Sequence, residues 1–124
     1  MSSLPILAAQ VQRDLEALDD NGDFLPGLVA EFKQDLKRAF ALVKSCHDGL
    51  DAQGFKDACH SVKSLAGHLG ALHLSELGRI GMGFELADLQ KEASSHWYAQ
   101  LTDAGEQAVN ALDAWMVQYC ASPD

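Results

Sequence analysis

The run Ala58-Cys59-His60-Ser61-Val62-Lys63-Ser64-Leu65-Ala66-Gly67-His68-Leu69-Gly70-Ala71 brings together a nucleophilic imidazole, a cation and a set of small side chains. If it is helical, Phe55, Cys59, Val62, Ala66 and Leu69 recur at steps of three and four and form one buried stripe. His60 lies roughly 200° around the helix from Val62, so the spacing predicts that its imidazole points into solvent. Lys56 and Lys63 fall one turn to either side of it, and Ser64 and Gly67 continue the same face. An accessible imidazole between two ammonium groups suits a transiently phosphorylated histidine. The ring nitrogen is the nucleophile, and Lys63 and Lys56 are positioned to place charge-assisted donors beside the phosphoryl oxygens.

Other chemistries fit less well. A single surface histidine is ordinarily only a solvated side chain, so His60 gains its weight from its surroundings. His47, Cys59, His60, His68 and His73 include common metal-ligand types, but His68 is two turns beyond His60 and His73 lies past the predicted helix end. No metal site is expected. Asp19-Asp20-Asn21-Gly22-Asp23 has the look of a calcium loop, yet the register puts Ala17 at the first loop position and Leu28 at the closing acidic one. Gly78, Gly81 and Gly83 follow no strand, which excludes a dinucleotide fingerprint and leaves close helix packing as their use. No Walker loop, kinase motif or acidic metal cluster accompanies His60. Cys46, Cys59 and Cys120 lack CxxC spacing and read as free thiols, two of them packed.

The His60 segment resembles the signature of histidine-containing phosphotransfer (HPt) domains of multistep two-component relays. His60, Lys63, Ala66, Gly67, Leu69, Gly70 and Ala71 stand at the family spacing. Asp51 fits the acidic start of the histidine helix, Phe24-Leu25 to Phe32 the helix before it, and Leu74 and Leu77 the helix after it. The likeness runs from about Phe24 to Tyr119, with its specific part confined to the His60 segment. Ser64 stands where the family usually has glycine, Leu65 where it has a small residue, and His68 where asparagine or another small polar residue is frequent. The resemblance implies a phosphoryl carrier without enzyme activity of its own. His60 would accept a phosphoryl group from a receiver-domain aspartate and pass it to another receiver. Partners would be receiver domains of response regulators and hybrid sensor histidine kinases, and the receiver would supply magnesium. Ser64, Gly67, His68 and Lys37 would form the docking face, Lys37 together with Lys33 and Lys44 steering an acidic receiver mouth. Two other readings stay open: a helical module that docks on a receiver or kinase without exchanging phosphate, and a bundle that binds metal through histidine and cysteine.

The elements that must position His60 are helical throughout. Leu7, Val11, Leu15 and Leu18 predict a short first helix, stopped by Asp19-Asp20-Asn21-Gly22. Asp23 then reads as the N-cap of a second helix carrying Leu25, Val29, Phe32, Leu36, Phe40 and Val43, ending near Ser45. After the loop His47-Asp48-Gly49-Leu50, Asp51 caps the histidine helix, which ends at Leu69-Gly70. A fourth helix takes Leu74, Leu77, Ile80, Phe84 and Leu89 inward. Past the polar stretch Lys91–Ser95, the last helix buries Trp97, Leu101, Ala104, Ala108, Leu112, Trp115 and Tyr119. Pro5, Pro26 and Pro123 lie near helix starts or the chain end. These elements predict an all-α fold, an antiparallel four-helix bundle with a short additional N-terminal helix. The chain reads as one domain over 1–124, with 1–22 as the cap helix and 23–120 as the bundle.

A length of 124 residues suits a single core. A net charge of −9 and a pI near 4.8 repel phosphate backbones and anionic headgroups, so neither nucleic acid nor membrane is an expected partner. Met1-Ser2-Ser3 lacks a basic region leading into a long apolar stretch, and no spanning segment is evident. The expectation is a cytoplasmic monomer with no cofactor of its own.

Overall fold

The structure, a computed structural model, describes residues 4–121; Met1-Ser2-Ser3 and Pro123, used above, lie outside them. The described residues form six helices and no strand: α1 (Ala9–Leu18), α2 (Phe24–Asp48), α3 (Ala52–His68), α4 (Leu72–Met82), α5 (Leu86–Leu89) and α6 (Glu92–Ala121). Helix α3 packs against α2 on one side and α4 on the other, α4 and α5 rest on α6, and α1 touches α2. None of these helices is long and apolar enough to cross a membrane.

The apolar stripe of α2 buries Leu25, Val29, Phe32, Leu36, Ala39 and Val43, while Phe40 is half-buried. The helix runs past Ser45 to Asp48. Nothing in Ser45-Cys46-His47-Asp48 opposes helix, and only Gly49 and Leu50, which takes a left-handed φ of 56°, turn the chain. The N-terminus of α2 departs from expectation, because Asp23 makes no side-chain cap bond. The carboxylate of Asp19, four residues earlier, accepts instead from the backbone N–H groups of Gly22, Phe24 and Leu25 at 2.9–3.1 Å. The turn Asp19–Gly22 folds that carboxylate over the orphan donors more directly than Asp23 reaches them.

Helix α3 follows the expected pattern. The Asp51 carboxylate accepts from Gly54 N at 3.0 Å, and Phe55, Cys59, Val62 and Ala66 are fully buried. Gly70 then adopts φ 78°, and its carbonyl accepts from Ala8 N at 2.8 Å, which ties the chain before α1 to the α3–α4 turn. Val11 packs so close that a Cβ on Gly70 would lie 2.8 Å from it.

Two apolar positions depart from the periodicity. Leu18 is 67% exposed, since it is the last residue of α1, a helix that buries none of its residues. Ile80 is 41% exposed, because α4 turns Leu74, Leu77, Gly78 and Gly81 inward, and its glycine face permits a closer approach than its aliphatic one. Phe84 and Leu89 belong to no continuous fourth helix. The chain leaves α4 at Gly83 and restarts at α5, where Glu85 and Asp88 form a reciprocal capping box. In the 91–95 stretch, Glu92 already begins α6, and Ser94 is buried. Within α6 Tyr119 stays half-buried, unlike the six residues expected inward before it.

One hydrophobic core joins α2, α3, α4, α5 and α6. Below the first half of α3, Trp97 sets its ring edge-on to Phe55 and Phe84, both at 5.4 Å, and donates Nε1–H to Leu77 O at 2.8 Å. Full burial of Phe55 contributes about 1.5–3 kcal/mol, so this cluster anchors the helix that carries His60.

Candidate functional site

His60 is exposed on α3 between the buried residues Cys59 and Val62, as the stripe requires. Its imidazole has no hydrogen-bond partner among the described residues, so both ring nitrogens are open to an incoming group. The His68 and His73 imidazoles also lack a hydrogen-bond partner among the described residues, whereas two other histidines are tied. His47 is engaged at both ring nitrogens, and His96 sits 3.8 Å from Glu92.

Helix α2 forms one wall of a shallow depression around His60, lined by Asp35, Arg38, Ala39 and Leu42, with Ser61, Ser64 and Leu65 of α3 beside the imidazole. Ser64 therefore stands with His60 at the site. Arg38 is occupied by an ion pair to Asp35. His68 is exposed in the adjoining hollow, which shares Asp35 and Leu65 with the first and adds Glu31. Leu42 is 56% exposed and gives the depression an apolar rim that sequence reading missed. Its period on α2 alone marks it as outward, and only packing shows that outward means beside His60.

Lys56, Lys63 and Gly67 lie toward α4. The open side of Gly67 faces Ser75, whose hydroxyl donates to Lys63 O at 2.9 Å. The two lysines differ in their partners. Lys56 Nζ is 3.2 Å from Glu85 Oε1 in the link between α4 and α5. Lys63 makes no ion pair among the described residues, although its charge reaches Glu76. The hydrogen bond from Arg79 Nε chiefly holds the Glu76 carboxyl below the ordinary carboxylate range, and Lys63 adds to that. Arg79 thus pairs with the acid that Lys63 influences, and the Lys63 ammonium keeps no ion pair among the described residues.

Lys37 is placed elsewhere. It borders an apolar groove of about 300 Å³ between α2 and α6, beside Leu36, Phe40 and Val109, and it does not line the depression that holds His60. The face reads as one unit only if α2 is taken alone.

A second constellation has the residue types of a hydrolase triad. His47 Nε2 lies 2.9 Å from Ser94 Oγ, and His47 Nδ1 lies 3.2 Å from Asp48 Oδ1. Ser94 is buried, and its hydroxyl also lies within reach of the Lys91 and Leu89 carbonyls, at 2.8 and 3.3 Å. The array ties the end of α2 to the start of α6 and offers no accessible nucleophile. Among the described residues no three histidine, cysteine or acidic side chains gather as a cation site.

Cys59, adjacent to His60 in sequence, points the other way. Burial pushes its thiol up to about 12, with Cys46 contributing. Cys46 is half-buried, and Cys120 is exposed.

No family model, curated protein or solved structure matches this chain.

Proposed function

We propose that this chain is a phosphoryl carrier of the HPt type, with His60 as the acceptor and donor. The observation that carries the reading is an exposed imidazole with neither ring nitrogen engaged among the described residues, one turn of α3 from Lys63, whose ammonium makes no ion pair among them. In this reading α2, α3, α4 and α6 are the four antiparallel helices of a bundle, and α1 caps one end. The chain works in the cytoplasm.

The chemistry is a single transfer. The lone pair of His60 Nε2 forms a bond to phosphorus as the bond from phosphorus to a receiver aspartate oxygen breaks, and the carboxylate leaves with that electron pair. The imidazole keeps its proton on Nδ1 during attack and then releases it to solvent. Return transfer to a second receiver reverses these events. Magnesium and the acidic groups that hold it belong to the receiver, and this chain contributes the positioned imidazole and Lys63. A buried, well-packed α3 supports such a role, because it holds the nucleophile rigidly while leaving its approach open.

The exposed rim at Leu42 also favours a docking module that exchanges no phosphate, and one experiment separates the two. Incubation with a phosphorylated receiver should give an acid-labile label on the parent and none on His60→Gln, with both proteins equally folded. Label retained by His60→Gln, at His68 or His73, would identify a different acceptor. No label on the folded parent, from either a receiver or phosphoramidate, would leave the docking module.

A further inference from the structure

The two cations that flank His60 are not equivalent. Lys63 follows His60 by one turn of α3, and Lys56 precedes it by one. Lys56 pairs with Glu85, and their charged atoms stand 3.2 Å apart. Arg79 occupies Glu76, the acid that Lys63 influences. Among the described residues one ammonium thus makes no ion pair and the other is held. Glu85 is fixed in place as well, because its side chain accepts from the backbone of Asp88 while Asp88 Oδ2 accepts from Glu85 N at 2.8 Å.

We propose that Glu85 is a positioning residue for the phosphoryl group: by holding Lys56 it leaves phosphorylated His60 with Lys63 alone and keeps the phosphohistidine short-lived. The inference rests on the carrier reading of His60. A carrier must give its cargo up, and a second ammonium on the phosphoryl oxygens would stabilise the charged adduct against loss. Glu85 competes with the phosphoryl group for Lys56. Hydrolysis reads this directly, since a water oxygen bonds to phosphorus as the N–P bond breaks and Nε2 recovers its electron pair.

The test uses the full chain labelled with phosphoramidate, with loss of label from His60 followed over time in the parent, Glu85→Gln, Lys56→Gln and the double variant. Glutamine keeps a side-chain oxygen for the Asp88 N–H, and Glu85→Ser, a second uncharged cap, should reproduce its effect. Glu85→Gln should slow the loss of phosphate roughly two- to fivefold, the scale of an exposed ion pair. Lys56→Gln should match the parent because Lys56 is already held, and the double variant should match Lys56→Gln. A parent that labels normally, with Glu85→Gln decaying at the parental rate, overturns this inference alone. Slowed decay that persists in the double variant overturns it too, assigning the effect to the field of Glu85 rather than to Lys56. A folded parent that takes no label removes the carrier reading and this inference together.

Discussion

Gly78 lies directly against the backbone of Lys63: a Cβ built on it would stand 2.9 Å from Lys63 N and 3.0 Å from Cys59 O. The turn of α3 that bears His60 is therefore seated on a helix surface without a side chain. A methyl group there meets backbone on both sides, which cannot swing away as a side-chain tip can. Gly78→Ala should lower stability by about 1–3 kcal/mol despite alanine's better helix propensity. Gly67→Ala is the control, because its Cβ meets only Ser75 Oγ at 3.7 Å and should raise stability by about 0.5–1 kcal/mol. Chemical denaturation of the two variants checks the opposite signs.

Asp19 links the end of α1 to the last turns of α6. Tyr119 OH donates to its carboxylate at 2.9 Å, while the same carboxylate caps α2. Partial burial raises the Asp19 pKa, but hydrogen bonds from Leu25, Tyr119, Phe24 and Gly22 outweigh it and bring the group below its ordinary value of 3.8. A carboxylate depressed on folding contributes stability that is complete above the unfolded value and is lost as pH falls through the folded one. The melting-temperature difference between the parent and Asp19→Asn should therefore be constant near neutrality and shrink below about pH 4. A difference that grows in acid would reverse the assignment.

Lys63→Ala should shorten the life of phosphohistidine and slow receiver transfer roughly three- to tenfold, a charge-assisted contact reduced by solvent screening. Lys63 is half-buried and its removal opens no core cavity, so the melting curve should barely move. Equal effects from Lys56→Ala and Lys63→Ala would contradict the asymmetry between the two lysines.

Leu42→Gln separates docking from chemistry. Labelling by phosphoramidate should be unchanged, whereas KM for a phosphorylated receiver should rise roughly three- to tenfold through lost apolar contact at the rim. An unchanged KM would move the docking surface away from the α2 wall.

The cysteines should react in order of access. Cys120 should take an alkylating reagent first and Cys46 more slowly, since burial, with Asp51 and Asp57 adding, raises the Cys46 thiol. Cys59, at about 12 and inside the core, should react only on unfolding. Mass spectrometry of native and denatured protein reads the order, and labelling of Cys59 in the native state would show α3 opening from the core.

The outward placement of His60, the Asp51 cap, the buried set Phe55, Cys59, Val62 and Ala66, and the helix end at Gly70 were all determined by the sequence on its own. Each is a relation within one helix or one turn, fixed by an advance of about 100° per residue and by local capping chemistry. What the tertiary structure decided is which neighbour each face meets. Ile80 and Leu18 stay outside because Gly78 and Gly81 bring α4 close and α1 buries none of its residues. Lys37 goes to the α2/α6 groove although its charge suits the His60 face, and Lys56 is claimed by Glu85, 29 residues away in sequence. Periodicity sets direction around a helix axis, but the partner at the end of that direction depends on how several helices settle together, and that carries no local signal.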